Sequence, residues 1–148
     1  MKTKIVRLTI ALAGTFSTLS FAEVSPSLPP VVSQGQTQFI SGGIGKDESE
    51  AILQARSSWS LALELTQAAD AKAEYISDVQ VTIKDNLGNT VLDTIAEGPY
   101  LLVNLSPGKY SLDATYQSTT LHRNLSLQEG AAKKMTLIWP EPGNTENN

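Results

Sequence analysis

Residues 79–95 read VQVTIKDNLGNTVLDTI. Val79, Val81 and Ile83 alternate with Gln80, Thr82 and Lys84, so every second side chain is apolar and the segment suits a strand with one buried face. The alternation stops at Asp85-Asn86-Leu87-Gly88-Asn89, where Asn, Asp and Gly fit the left-handed or turn-compatible backbone of a hairpin. A second strand, Thr90 to Ile95, follows at once and runs to Glu97-Gly98-Pro99, which breaks it. Strand, tight turn and strand form the unit that the rest of the chain repeats.

Upstream, Trp59, Leu61, Leu63 and Leu65 alternate with Ser60, Ala62 and Glu64. Downstream, Leu101, Val103 and Leu105 form a further strand before the turn Ser106-Pro107-Gly108. Three more alternating runs follow: Tyr110, Leu112, Ala114 and Tyr116; Leu121, Arg123, Leu125 and Leu127; and Met135, Leu137 and Trp139. Seven short strands with turn signals between them predict an all-β fold, a seven-stranded antiparallel sandwich of two sheets. One short helix is expected near the start of the domain, from Asp47 or Glu48 to about Arg56. Ala51, Ile52 and Ala55 share a face there, and the acids Asp47, Glu48 and Glu50 suit the positive end of its dipole.

Just before that helix, SGGIGKDESEA (41–51) has the look of a phosphate loop. A P-loop needs G-x-x-x-x-G-K followed by Ser or Thr. Here Gly45-Lys46 is followed by Asp47, and Ile40 stands where the first glycine belongs. The dinucleotide pattern fails as well, since Gly43-Ile44-Gly45 leads into Asp47 and Glu48, whose carboxylates repel a pyrophosphate. The segment therefore reads as a turn and a helix start.

The chain opens with Lys2, Lys4 and Arg7, continues through an apolar run from Leu8 to Gly14, and reaches small residues at Ser20 and Ala22. This order predicts a secretory signal peptide over 1–22, cleaved after Ala22. A membrane anchor needs about 20 unbroken apolar residues, and Gly14, Thr15, Ser17, Thr18 and Ser20 interrupt the run. The chain contains no cysteine, so neither a lipidated cysteine nor a disulfide framework is available. Periplasmic or secreted residence is the expectation. Cleavage removes three of the eleven basic residues and none of the fifteen acids, which takes the net charge from −4 to −7. Such a chain is repelled by nucleic acid and by anionic lipid. Residues 23–38, rich in Pro, Ser and Gln, read as an extended leader, 39–139 as the folded domain, and 140–148 as a free tail.

ISGGIGKDE (40–48), WSLALEL (59–65), YISDVQVTIKDNLGNTVLD (75–93), EGPYLLVNLSPGKYSLDATY (97–116) and a last strand ending at Trp139 together resemble small exported proteobacterial carboxypeptidase regulatory-like domain proteins. The resemblance spans about residues 39–139. It implies a prealbumin-like or transthyretin-like sandwich and periplasmic residence. It implies no agreed activity, because the family name records similarity to the accessory domain of metallocarboxypeptidases and not to their catalytic domain.

Zinc hydrolysis needs two histidines and a carboxylate on the metal, and His122 is the only histidine. The histidines and the C-terminal Tyr-Arg-Gly-Ser run of transthyretin-like hydroxyisourate hydrolases are also missing. No G-x-S-x-G elbow occurs. His122, between Leu121 and Arg123, reads as an exposed strand histidine. Asp47, Glu48 and Glu50 have a calcium alternative, as does Asp85 to Asn89, but a charged helix start and a hairpin turn describe them better. The expectation is a protein that is not an enzyme and uses no metal or cofactor, and that binds a protein or envelope partner. Its candidate surface is Gly42, Gly43, Gly45, Lys46, Asp47 and Glu48 beside Tyr100, since glycines and exposed charges in a loop suit contact. Two alternatives stand: a carbohydrate-binding module that uses Trp59 or Trp139 with Tyr100 or Tyr116, and a hydrolase with an unrecognised carboxylate site.

Overall fold

The computed structural model describes residues 27–143. The expected signal peptide at 1–22 and residues 144–148 of the expected tail lie outside them. In chain order the elements are β1 (Val32–Gln34), β2 (Thr37–Gly42), α1 (Lys46–Ala55) running into a 3₁₀ turn at Arg56–Ser58, β3 (Leu61–Gln67), β4 (Glu74–Tyr75), β5 (Val79–Asp85), β6 (Thr90–Ala96), β7 (Tyr100–Asn104), β8 (Gly108–Tyr116), β9 (Thr119–Leu127) and β10 (Lys133–Trp139). They make two sheets. One has the order β1-β2-β7-β3-β10, with β4 paired to the end of β3, and the other β6-β5-β8-β9.

The hairpin at 79–95 forms as its alternation demands. Val79, Val81 and Ile83 are fully buried, and Gln80, Thr82 and Lys84 face outward. The Asp85 carboxylate accepts hydrogen bonds from the Leu87 and Asn89 amides, both at 2.9 Å, and Gly88 takes a φ of +84°. With the Asn89 carboxamide donating to Asp85 Oδ2, the Asp85 amide to the Asn89 carbonyl and the Gly88 amide to the Asp85 carbonyl, five hydrogen bonds of the turn involve this one aspartate, which is why the turn has a fixed register. Inward side chains of β5 and β8 meet Leu61, Leu63 and Leu65 of β3 and Leu101 and Val103 of β7 in a single core. Burial of these two inner faces is the main stabilising term.

A second, smaller core lies on the outer face of the larger sheet. There α1 lays Ile52 over Ile40, Ala62, Tyr100 and Leu102, with Trp59 closing the end. The helix is legible from Ala51 and Ile52, both buried, and its acids Asp47 and Glu48 occupy the first turn.

The expectation of seven strands is corrected to ten among the described residues. The extra three, β1, β2 and β4, carry no clean period. In β2 Phe39 faces the main core while the adjacent Ile40 lies under α1, so both faces are buried and alternation disappears. The other two are too short to show one. As a result the folded unit reaches back into the segment expected to be an extended leader. Trp59 precedes β3 instead of opening it. The expectation of purely antiparallel pairing is also corrected: β10 runs parallel to β3, with Lys133 opposite Leu61 and Trp139 opposite Gln67. The chain enters β10 from β9 in the other sheet, so it is not bound by the antiparallel order of a hairpin.

The two sides of the sandwich are finished differently. On one side the Gln34 carboxamide donates to the Asp93 carbonyl at 3.0 Å and accepts from the Asp93 amide at 2.6 Å. Close by, the Ser41 hydroxyl accepts from the Glu97 amide at 2.7 Å. These bonds cap the edge of β6. On the other side, Trp139 Nε1 donates to the Thr119 carbonyl at 2.9 Å, joining the end of β10 to the start of β9.

Candidate functional site

The glycine segment folds into a corner whose needs are met internally. Gly42 pairs with Tyr100 across β2 and β7. A Cβ on Gly42 would collide with the Glu48 carboxylate and Pro29, and one on Gly43, whose φ is +97°, would collide with the Tyr100 ring. A Cβ on Gly98 would run into the backbone of Gly42. Glycine is required here so that backbone can lie against backbone and ring. The Gly43 amide donates to Glu48 Oε1 at 2.6 Å, and the Ser49 hydroxyl lies against the carbonyls of Gly43 and Gly45.

Of the residues expected to form a surface, the fold brings Gly42, Gly43, Glu48 and Tyr100 together. It leaves Gly45, Lys46 and Asp47 exposed on the loop and the first turn of α1. Lys46 reaches Glu50 at 3.9 Å, an exposed pair that contributes little. The amide that an anion would seek is already held by Glu48.

Both tryptophans are in the interior. Trp139 is 1% exposed and meets Tyr116 edge-on at 6.1 Å, while Trp59 closes the small core under α1. Tyr100 is buried as well, and its phenol is pushed well above its ordinary pKa by that burial, then by the neighbouring Tyr75 phenol and the Glu64 carboxylate, with Arg56 opposing. Tyr75 lies 5.7 Å from it, ring to ring, and is exposed. The aromatics therefore do not line up as a flat platform.

His122 lies on the outer face of the smaller sheet, its Nδ1 2.5 Å from Asp113 Oδ1. Sequence reading found no partner for it because Asp113 is set opposite by strand register, nine residues away. The hydroxyls nearest along these two strands, Thr115 and Thr120, bond each other at 2.7 Å. The pair stands exposed on an open face. Among the described residues, no three His, Cys, Asp or Glu side chains are grouped to hold a metal, and no helix is long and apolar enough to cross a membrane.

Sequence reading missed the open half of the larger sheet's outer face. Helix α1 covers β2 and β7 but stops short of β10, leaving a cavity of about 120 Å³ against β3. Ile52, Leu53 and Leu102 give it apolar walls, and Arg56, Glu64 and Lys134 bring charge to it. Neither Arg56 nor Lys134 has a carboxylate within ion-pair distance among the described residues.

Beside this cavity runs the edge of β10. The Lys133 amide donates to the Ser60 carbonyl at 2.9 Å, and the Trp139 carbonyl accepts from the Ala68 amide at 2.8 Å. In a parallel ladder this phase directs the main-chain groups of residues 133, 135, 137 and 139 toward β3. Those of Lys134, Thr136 and Ile138 face away from the sheet, where no strand among the described residues pairs with them. The signal for this edge in the sequence is the change from one sheet to the other between β9 and β10, which no local pattern marks.

Comparison with protein-family models and with curated proteins finds no match to this chain.

Proposed function

We propose that this chain is an exported, non-catalytic interaction module of the carboxypeptidase regulatory-like, prealbumin-like kind, which binds a protein or envelope partner in the periplasm or outside the cell. The leader pattern of residues 1–22 and the motif order of residues 39–139 support the address and the kind. The observation that carries the binding role is the asymmetry of the sandwich: side chains of β1 and β2 hold the β6 edge at Asp93 and Glu97 on one side, while on the other β10, an edge like β9 but bordered by the cavity, has a row of main-chain donors and acceptors that no strand among the described residues pairs. Unpaired edges invite another strand, and proteins that do not use them block them.

On this reading the contact is β10 and the adjoining cavity, and not the glycine corner, where the Gly43 amide is already held by Glu48. A carbohydrate module is the weaker reading, since Trp59 and Trp139 serve the two cores. The test is a photo-crosslinking side chain introduced at Thr136 in one variant and at Thr82, on the outer face of the other sheet, in a second. Irradiation in the exporting cell is expected to give a discrete adduct from position 136 and none from 82. No adduct from 136, or the same adducts from both, overturns the proposal.

A further inference from the structure

We infer that β10 accepts an acidic extended peptide as an added strand, in register with Lys134, Thr136 and Ile138. The inference rests on the interaction-module reading and names the chemistry of its partner.

The hydrogen-bonding phase of β10 decides which residues a new strand meets. Lys134, Thr136 and Ile138 offer both an amide and a carbonyl to the open side, and all three are exposed, Ile138 by 53%. Added strands gain affinity from the main-chain ladder and selectivity from the side chains opposite. Here those side chains present a cation at one end, a hydroxyl in the middle and an apolar group at the other end.

Charge selects the occupant. Lys133 and Lys134 are the only adjacent basic pair in a chain of net charge −4. Lys134 also lines the cavity with Arg56 and the single acid Glu64, two cations to one carboxylate, and neither cation is within ion-pair distance of a carboxylate among the described residues. A parallel second copy would set Lys134 against Lys134, and an antiparallel copy centred on Thr136 would set Lys134 against Ile138. Both pairings are poor. A foreign strand with an acid opposite Lys134 and a branched apolar residue opposite Ile138 satisfies both ends, and edge lysines that discourage self-pairing then act as the selective element.

The test uses the isotope-labelled chain and the blocked peptide Ser-Val-Ser-Thr-Ser-Glu-Ser, which in antiparallel register places Val against Ile138 and Glu against Lys134. Amide exchange is read along β10, with the same peptide carrying Lys for Glu as control. The acidic peptide is expected to slow exchange at Lys134, Thr136 and Ile138 at least tenfold, to leave Met135 and Leu137 as they were, and to bind at least fivefold tighter than the lysine version. Lys134→Glu should reverse that preference. Thr136→Pro should abolish binding while the chain stays folded, because its amide is not used in the sheet and proline is tolerated at an outward edge position.

Equal binding of both peptides, binding that survives Thr136→Pro, or slowed exchange elsewhere than β10 overturns the inference. So does a dimer formed through β10 in sedimentation of the peptide-free chain. An adduct from a crosslinker at 136 together with no response to the acidic peptide would refute strand addition and leave the interaction-module reading standing. No adduct at 136 would remove both.

Discussion

Gly43 and Gly45 lie two residues apart with nearly the same φ, +97° and +95°, but a side chain at one meets the Tyr100 ring and at the other meets open space. Alanine at either position carries a backbone cost of about 1–3 kcal/mol for the left-handed φ. Gly43→Ala adds overpacking against a buried ring, about 1–3 kcal/mol. The ring term can be isolated by a double-mutant cycle with Tyr100→Val, which removes the ring atoms that the new Cβ would strike. The cycle should return a coupling of about 1–3 kcal/mol for Gly43 and close to zero for Gly45. In urea, with a slope of about 1–3 kcal/mol per molar, this separates the Gly43→Ala penalties in the two backgrounds by on the order of 1 M at the midpoint. Circular dichroism and tryptophan fluorescence should report the same transition. Coupling near zero at Gly43 would refute the packing of the glycine corner against Tyr100.

Other expectations follow from the same contacts. Gln34→Ala removes both bonds to the Asp93 main chain and should cost about 1–2 kcal/mol, with faster exchange at the Asp93 amide read by nuclear magnetic resonance. Trp59 and Trp139 are both buried, so acrylamide should quench their fluorescence poorly; efficient quenching would contradict the two cores. The Asp85 carboxyl is held below its ordinary pKa, first by the Asn89 side chain and then by main-chain amides. A carboxylate with a lowered folded pKa contributes stability above its unfolded pKa and loses it as pH falls through the folded one. Turn amide shifts at Leu87 and Asn89 should therefore persist down to a pH below the usual carboxylate range, and Asp85→Asn should remove that transition.

Most strands that a period of two can describe have one face in the main core and one in water. β5 is the clearest case, and β8, β9 and β10 follow it. β3 was legible although Ala62 and Thr66 on its outer face are buried, because the large residues Leu61, Leu63 and Leu65 still alternate with smaller or polar ones. β2 and β7 are buried on both faces because α1 covers them, so Phe39-Ile40 carries no alternation and Leu102 blurs that of Leu101, Val103 and Leu105, although the turn residues around β7 still delimit it. The helix was legible from its apolar face and acidic first turn. Gly42 and Gly43 pack against Tyr100, while Gly45, Lys46 and Asp47 of the same segment are exposed, a division that loop composition does not encode. Glu48 is turned inward to the Gly43 amide. The partnership of Asp113 with His122 and the open edge of β10 arise from pairing between distant strands, which composition and spacing do not encode.

The most direct measurement is amide hydrogen exchange along β10 in the free chain. The account predicts alternation: Lys133, Met135, Leu137 and Trp139 protected by β3, and Lys134, Thr136 and Ile138 exchanging at nearly unprotected rates. Protection at every position would mean that the edge is already covered and would contradict the proposed binding surface. Loss of protection at Met135 and Leu137 would contradict the parallel pairing from which that surface is built.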